Sequence, residues 1–295
     1  MNGNKIKILI LGINGMIGFK MFDHLKRFHQ VRGTLRLDKR SYGNVPELQD
    51  EGIIHQIDMR DIKKIKKLLT TEKPDVLINA TGIIKQVIDN YSSTELIELN
   101  SLFPHKLYEL SSSMGIRLIQ FSTDCVFSGN QGNYSESDRP DPIDFYGLTK
   151  YLGELDVDGA ITIRTSTIGL ELGSTHGLVE WFLKRKGNID GYKNAIYTGI
   201  TTKELARFVN FIITQHSDLS GLWQVAGDKI SKYDLLFKLK QKLQRENMEI
   251  FPDEEYICDR SLLNNRIIEA TNYKFPDWDS MLDELSHEII QRESG

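Results

Sequence analysis

Hydrophobic residues along this chain recur in two alternating rhythms. A compact apolar run over Lys5–Leu11 is followed by Gly12, Gly15 and Gly18, and then by Ile17, Met21, Phe22 and Leu25 at helical spacing. That order predicts strand, glycine turn, helix. Val31–Leu35 reads as the next strand. Ile62, Ile65, Leu68 and Leu69 line one face of a later helix, and Val76–Ile78 forms a further strand whose start is marked by Pro74 and Asp75. Leu96, Leu99, Leu107 and Leu110 predict long helical packing ahead of the apolar strand Ile116–Phe121. Strands separated by helices imply an α/β fold with a doubly wound parallel sheet. After Ile161–Arg164 the alternation weakens, and short strands mix with helices near Glu204–Thr214, Lys232–Leu243 and Ser280–Ile290. A smaller second portion is expected there.

Composition narrows the classes. The 295 residues, set against roughly 150 per domain, suggest two modules in one continuous body. Hydrophobic content of 40% with 26% charged residues supplies a sizeable core and excludes a disordered chain. Lys plus Arg total 37 and Asp plus Glu 41, a net charge of −4, so no general attraction to polyanions exists and nucleic acid is not an expected partner. Cys125 and Cys258 are the only cysteines, too few for a disulfide framework and suited to a reducing cytoplasm. The apolar run Ile8–Leu11 lacks the length of a signal core or a membrane span. A cytoplasmic protein with no membrane partner is expected. His24, His29, His55 and His105 have no metal-ligand spacing, so no metal is expected either.

In Gly12-Ile13-Asn14-Gly15-Met16-Ile17-Gly18 the first glycine permits a sharp turn, the second lets backbone approach a pyrophosphate, and the third allows close packing of helix on strand. Free N–H groups and the positive dipole end of the following helix favour an anion there. An ordinary glycine turn is the competing reading, but the motif's place between the first strand and a helix favours dinucleotide binding. Gly12, Asn14, Gly15, Met16, Ile17 and Gly18 are therefore candidate cofactor residues. Cofactor choice is written near the end of the second strand, where an acid binds a ribose diol and a base accommodates a 2′-phosphate. Arg36, with Lys39 and Arg40 nearby, favours NADP(H), while Asp38 keeps NAD(H) open.

Tyr146 and Lys150 lie four residues apart, one helical turn, and so share a face. Carbonyl reduction needs such a pair, because hydride arriving at carbon leaves negative charge on oxygen that a tyrosine hydroxyl can neutralise with a proton. The lysine cation is expected to lower the tyrosine pKa and to bind the nicotinamide ribose. Ser122-Thr123-Asp124 follows the strand ending at Phe121, so a hydroxyl sits at the carboxyl edge of a parallel sheet, where ligands bind. Thr123 is the expected partner of the carbonyl oxygen, which makes Thr123, Tyr146 and Lys150 the candidate catalytic residues. A Y-x-x-x-K spacing alone usually marks a solvated helix face. The glycine turn and the strand-end hydroxyls tip the reading toward catalysis.

Further motifs extend the pattern: Phe121-Ser-Thr-Asp-Cys-Val-Phe127, Asp141-Pro-Ile-Asp-Phe-Tyr-Gly-Leu-Thr-Lys150 with Gly153-Glu154, Ile163-Arg-Thr-Ser166, Tyr197-Thr-Gly-Ile-Thr-Thr-Lys-Glu-Leu-Ala206 and Gly221-Leu-Trp-Gln-Val-Ala-Gly227. With them the chain resembles extended short-chain dehydrogenase/reductases, and within these the dTDP-4-dehydrorhamnose reductase group. The G-x-x-G-x-x-G spacing belongs to that likeness, which runs through most of the chain. It implies an NAD(P)-binding Rossmann domain over residues 1–164 and a mainly substrate-binding portion over 165–295, with a stretch near 197–226 returning to the Rossmann domain. The implied activity is NAD(P)H-dependent reduction of the 4-keto group of a nucleotide-linked 4-keto-6-deoxy sugar for surface polysaccharide. By the same resemblance Asp58 and Met59 border the adenine, Ala80, Thr81 and Gly82 line the cofactor, and Asn100 belongs to a helix supporting the active site.

Two departures bear on the substrate. In the rhamnose-forming enzymes an aromatic residue usually follows the Ser-Thr-Asp and another the Arg-Thr-Ser; here Cys125 and Thr167 stand in those places. Ile83-Ile-Lys-Gln86, His176-Gly-Leu-Val-Glu-Trp181 and Cys258-Asp-Arg-Ser-Leu262 are similar instead to a branch of nucleotide-sugar reductases associated with surface polysaccharides. A UDP-linked 2-acetamido-2,6-dideoxy-4-hexulose is then a candidate substrate beside dTDP-4-dehydrorhamnose. Arg260 offers a bidentate fork to a diphosphate. Lys85, Asp124, Cys125, Thr167 and Trp181 complete the candidate substrate residues with Thr123 and Tyr146. Lys85 reads equally as an exposed loop lysine, Trp181 as core packing against Leu178 and Phe182, and His176 as a surface histidine. Asp138, Asp141 and Asp144 read as loop and capping residues. A dehydratase of the same fold would carry an Asp-Glu pair after the threonine, where this chain has Asp124-Cys125. An epimerase and a regulatory subunit of the kind that binds methionine adenosyltransferase are the competing classes, and a homodimer stays open.

Overall fold

The computed structural model describes residues 5–294. Its first half runs β1 (Lys7–Leu11), α1 (Met16–Leu25), β2 (Gln30–Thr34), β3 (Ile53–Ile54), α2 (Ile62–Glu72), β4 (Val76–Asn79), α3 (Ser93–Leu96), a π-helical segment (Ile97–Leu102), α4 (Phe103–Ser113), β5 (Arg117–Thr123), α5 (Phe145–Leu152) and β6 (Ala160–Thr165). It continues with β7 (Thr167–Ile168), α6 (Leu178–Lys184), β8 (Ile189–Tyr192), β9 (Ala195–Tyr197), β10 (Ile200–Thr201), α7 (Thr202–Gln215) and β11 (Gly221–Gln224). The last elements are β12 (Ile230–Ser231), α8 (Lys232–Lys242), β13 (Ile250–Asp253), β14 (Cys258–Asp259), α9 (Asn265–Thr271) and α10 (Trp278–Ser294).

Seven strands pair in the order β3-β2-β1-β4-β5-β6-β11, and every pairing is parallel. Alternate side chains of β1 enter two separate cores, as a strand's period of two requires. Ile8 and Ile10 pack with Phe22 of α1 and Phe208 of α7; Leu9 and Leu11 pack with Ile65 and Leu69 of α2 and Leu107 of α4. Helices on both faces explain why the central strands read as continuous apolar runs. Strand order reverses between β1 and β4, opening a crevice at their carboxyl ends where ligands of such sheets bind. The expected doubly wound α/β sheet is thus present. β11 lies beside β6 at its edge. A three-stranded sheet β12-β9-β14 and the pairs β8–β13 and β7–β10 make up the remaining strand pairings.

The long helix expected near residues 96–110 is interrupted. Pro104 has no N–H to return to the carbonyl of Asn100, so the ordinary ladder fails at that turn, and Ile97–Leu102 widens into a π segment with Asn100 and Ser101 buried. Wide turns of this kind frequently mark functional sites. Across the sheet, Arg164 of β6 forms an ion pair of 2.7 Å with Glu154, their side chains only 2% and 6% exposed. Glu154 also accepts a bond from the Ser122 hydroxyl at 2.6 Å. Among the described residues no helix is long and apolar enough to cross a membrane.

Removing one partner of a buried pair leaves the other charge uncompensated, so Glu154→Ala is expected to cost about 3–5 kcal/mol of stability. Urea unfolding measures it. Lys193→Ala, which breaks the exposed Lys193–Glu254 pair, is expected to leave the midpoint in place, and an equal midpoint for both variants would strip the buried pair of its structural role.

Candidate active site

The glycine turn is shaped by its neighbours. A Cβ on Gly12 would lie 2.6 Å from Thr81 Cγ2, and one on Gly18 would lie 2.3 Å from the Gly12 carbonyl oxygen. Packing therefore demands glycine at both. A Cβ on Gly15 would meet nothing nearer than 3.7 Å, so that glycine instead leaves backbone open to the crevice. Gly15 caps α1 without a side-chain bond, and the first-turn N–H groups of Met16, Ile17 and Gly18 have no intrahelical acceptor. This cradle fits the pyrophosphate of a dinucleotide. Asn14 and Gly15 are exposed, and Met16 and Ile17 partly so. The Gly12–Thr81 contact joins the turn to Ala80, Thr81 and Gly82 at the end of β4.

Beyond β2, Arg36 is exposed and has no ion-pair partner among the described residues. The Asp38 carboxylate is engaged, accepting bonds from the Arg40 N–H at 3.0 Å and Gln56 Nε2 at 3.3 Å. Asp58 is clamped by Arg60 at 2.6 Å, which holds its carboxyl below the usual range. Met59 is buried in the core beside Leu9 and Leu11, so it offers packing rather than a polar contact.

The tyrosine helix α5 is pressed between two backbone segments. A Cβ on Gly147 would lie 2.2 Å from the Cys125 carbonyl oxygen, and one on Gly153 would lie 2.0 Å from that of Asn100. The Asp144 carboxylate caps the helix by accepting the Gly147 N–H at 2.8 Å. The Asn100 amide accepts from the Ile83 N–H at 2.8 Å and donates to the Ile83 carbonyl at 3.0 Å and to Thr149 Oγ1 at 3.3 Å. It thereby ties the loop after β4 to α5. Lys150 Nζ donates to the Phe121 carbonyl at 2.7 Å and stands 3.9 Å from where a Gly82 Cβ would be. Thr123, at the end of β5, accepts from the Cys125 N–H at 3.1 Å and donates to Asp124 at 3.2 Å. Its hydroxyl neighbours the Tyr146 phenol.

Electrostatics correct one expectation. Burial raises the Tyr146 pKa above its ordinary value, and the Cys125 and Asp124 side adds to the rise while Thr123 opposes it. Lys150 does not lower it as expected, because its ammonium is turned to the Phe121 carbonyl. Burial also brings Lys150 down to about 8. Both shifts have one cause, since burial disfavours whichever form is charged.

On the far side of Thr123, Arg260 donates Nε to the Phe127 carbonyl at 2.9 Å and Nη1 to the Cys125 thiol at 3.6 Å. Burial and Asp124 push that thiol up to about 12, so it stays neutral. Lys85 pairs with Asp144 at 2.7 Å, which gives Asp144 a second role beside capping. Asp138 and Asp141 brace loops by accepting the Ser135 and Ser128 N–H groups. Thr167 is part-exposed in β7, opposite Ile200. Trp181 is not drawn into this group: it packs on the main core under the Arg185 guanidinium at 4.8 Å, in a helix tied to α10 by Glu180–Arg292. His176 is exposed, its N–H held by Glu171. Lys232 and the buried hydroxyl of Tyr197 were not singled out from sequence. The signal available was a lysine in the first turn of a helix, where the dipole opposes it.

Residues 6–290 match the family model described as the RmlD substrate binding domain. The probable low-salt glycan biosynthesis reductase Agl14 of Haloferax volcanii is 29% identical over 178 residues, 58% of this chain and 56% of that protein. The dTDP-4-dehydrorhamnose reductase of Burkholderia thailandensis is 28% identical over 168 residues, 55% of this chain and 50% of its own length. The chain spans about half the length of these two relatives. The crystal structure of dTDP-4-dehydrorhamnose reductase from Bacillus anthracis strain Ames in complex with NADP has a TM-score of 0.77 at 20% identity, covering 96% of this chain and 99% of that one. That likeness shows a shared fold.

Because Lys150 loses its proton near pH 8, NADPH affinity measured by fluorescence titration is expected to fall several-fold between about pH 7 and pH 9. Lys150→Arg keeps its charge throughout that range and should flatten the curve; a dissociation constant insensitive to pH in the wild type would detach Lys150 from cofactor binding.

Proposed function

Because the chain belongs to the RmlD substrate binding domain family, we propose that it is an NAD(P)H-dependent reductase of the 4-keto group of a nucleotide-linked 4-keto-6-deoxy sugar. The observation that supports this reading is the placement of the Tyr146 phenol by Thr123 and of the Lys150 ammonium on the Phe121 carbonyl, both at the end of β5, in a fold that also holds an open glycine cradle. When bound, the nicotinamide supplies hydride to the keto carbon. Tyr146, kept a phenol at neutral pH by burial, holds the proton that the carbonyl oxygen takes as negative charge develops there. Thr123 offers the same oxygen a hydrogen bond. Lys150, anchored on the Phe121 carbonyl, serves the ribose.

The free Arg36 and the engaged Asp38 support NADP(H) over NAD(H). Arg260 suits the substrate diphosphate. Cys125 and Thr167 stand where the rhamnose-forming enzymes usually carry aromatic residues and give the pocket another shape, which supports a UDP-linked 2-acetamido-2,6-dideoxy-4-hexulose over dTDP-4-dehydrorhamnose. Two free cysteines support a reducing, cytoplasmic setting for this step of surface-polysaccharide synthesis.

The test is stoichiometric NADPH oxidation with freshly generated UDP- and dTDP-linked 4-keto-6-deoxy sugars. Tyr146→Phe is expected to lower kcat by about 10²–10⁴-fold while NADPH still binds. Undiminished turnover in that variant would sink the catalytic assignment and favour a regulatory binding subunit. Equal use of both nucleotides would sink the preference for UDP.

A further inference from the structure

The sheet β12-β9-β14 sorts its side chains onto two faces. Ile196 stands opposite Ser231 and Asp259, and these three line a cleft of about 730 Å³ that includes none of Thr123, Tyr146 and Lys150. By the strand's period of two, Tyr197 and Cys258 alternate with these; the Tyr197 ring packs at 5.7 Å on Trp278, which lines the same cleft, and Arg260 continues from Cys258 toward the Cys125 thiol. Lys232, the first residue of α8, turns to Tyr197: its Nζ lies 3.5 Å above the ring.

Two donors here lack acceptors. Among the described residues the Lys232 ammonium has no ion-pair partner and no hydrogen-bond acceptor, only the ring beneath it. The Tyr197 hydroxyl is buried without a partner, in a residue 2% exposed. Burial depresses the Lys232 pKa, while Asp124, next to Thr123, is the strongest of the charges that support its cation. Asp124 also acts on Tyr197. Around Arg260 the surroundings are more open, with Tyr256 and the Lys85 side chain about half exposed. Lys232 and Tyr197 thus share the face of β9 that Cys258 and Arg260 continue toward Cys125.

A buried hydroxyl left unmet is costly and rare, so a ligand that brings an acceptor to Tyr197 is recognised by it, with the part-exposed Lys232 ammonium over the same ring as a second donor. We propose that Lys232 and Tyr197 form a sugar-end subsite of the substrate site, binding a neutral oxygen acceptor on the pyranose, a hydroxyl or an acyl carbonyl. Lys232 is then a specificity-determining residue. The Asp124 carboxylate beside it repels a second anion, which disfavours a sugar carboxylate. This inference rests on the nucleotide-sugar reading above.

Calorimetry with UDP-N-acetylglucosamine, dTDP-glucose and free UDP, at saturating NADPH, separates the outcomes. Lys232→Met is expected to weaken nucleotide-sugar binding about 10-fold, the loss of a charged hydrogen bond, with free UDP, NADPH affinity and melting temperature unchanged. Tyr197→Phe should weaken it about 3-fold, and Lys232→Arg should recover part of the loss. In turnover with the 4-keto sugar, Lys232→Met should raise KM and spare kcat. Unchanged nucleotide-sugar binding in Lys232→Met overturns the proposal. Equal weakening of free UDP assigns the lysine to the diphosphate and overturns it as well, and parallel losses of NADPH affinity and melting temperature reduce it to a structural residue. A wild-type protein that neither binds nor reduces any of these nucleotide sugars overturns the parent reading instead, and this one with it.

Discussion

The buried ion pair between Arg164 and Glu154 is the constraint on which the geometry of the site depends. One carboxylate takes the Arg164 Nε at 2.8 Å, its Nη2 at 2.7 Å and the Ser122 hydroxyl at 2.6 Å. Three segments are thereby held at one point: the end of β5, strand β6, and the turn that leaves α5. Ser122 immediately precedes Thr123, and Glu154 lies one helical turn beyond Lys150, so the separation of the threonine from the tyrosine helix is set by this pair. Taking two charges out of water costs several kcal/mol each, and a well-packed apolar substitute is often as stable. Its value here is orientation, because three directed bonds to one carboxylate specify an angle that a greasy contact does not. Arg164 Nη1 remains buried without a partner, its guanidinium lying over the Phe127 ring at 5.2 Å.

Orientation from below is matched by close approach from the sides. Glycines at 147 and 153 let α5 press its backbone on the turn after Thr123 and on the π segment, and Asn100 relays that position to Ile83 in the loop after β4. The two halves of the crevice, the loop after β4 and the tyrosine helix, thus share one amide. The same tight packing explains the paired shifts of Tyr146 and Lys150. Low-dielectric surroundings keep the phenol protonated and loosen the proton on the ammonium.

What could be read from the sequence was what local periodicity and local chemistry encode. The strand–glycine–helix start, the buried parallel strands, the threonine at the edge of β5 and the phenol and ammonium one turn apart all follow from residues close in the chain, and the family match over residues 6–290 agrees with the motifs. What escaped depends on contacts between distant segments. Strand β3 is only Ile53–Ile54, too short for a pattern, and exists because Gly33 and Thr34 pair with it. The π segment needed Pro104 to be read against the carbonyl of Asn100. The fate of the Asp38 carboxylate turned on Gln56, eighteen residues away. The expected influence of Lys150 on Tyr146 failed because a carbonyl two residues before Thr123 competes for the ammonium. Tyr197 and Lys232 meet only through the β9–β12 pairing.

The same reasoning joins two features that look independent in the sequence, the cysteine at 125 and the arginine at 260. Arg260 reaches its place by donating to the Phe127 carbonyl and to the Cys125 thiol, and its backbone N–H is fixed by the Ile196 carbonyl at 3.0 Å. A thiol is small, and at Cys125 it is held neutral by burial, so it accepts the guanidinium N–H without adding a charge that would compete for the fork. An aromatic ring at 125 would occupy the space that Nη1 now enters and remove the acceptor it points to. The small polarizable acceptor at 125 therefore gives the guanidinium a second anchor beside the Phe127 carbonyl. The cysteine at 125 and the arginine at 260 are then one arrangement, a small neutral acceptor and the cation it helps to seat.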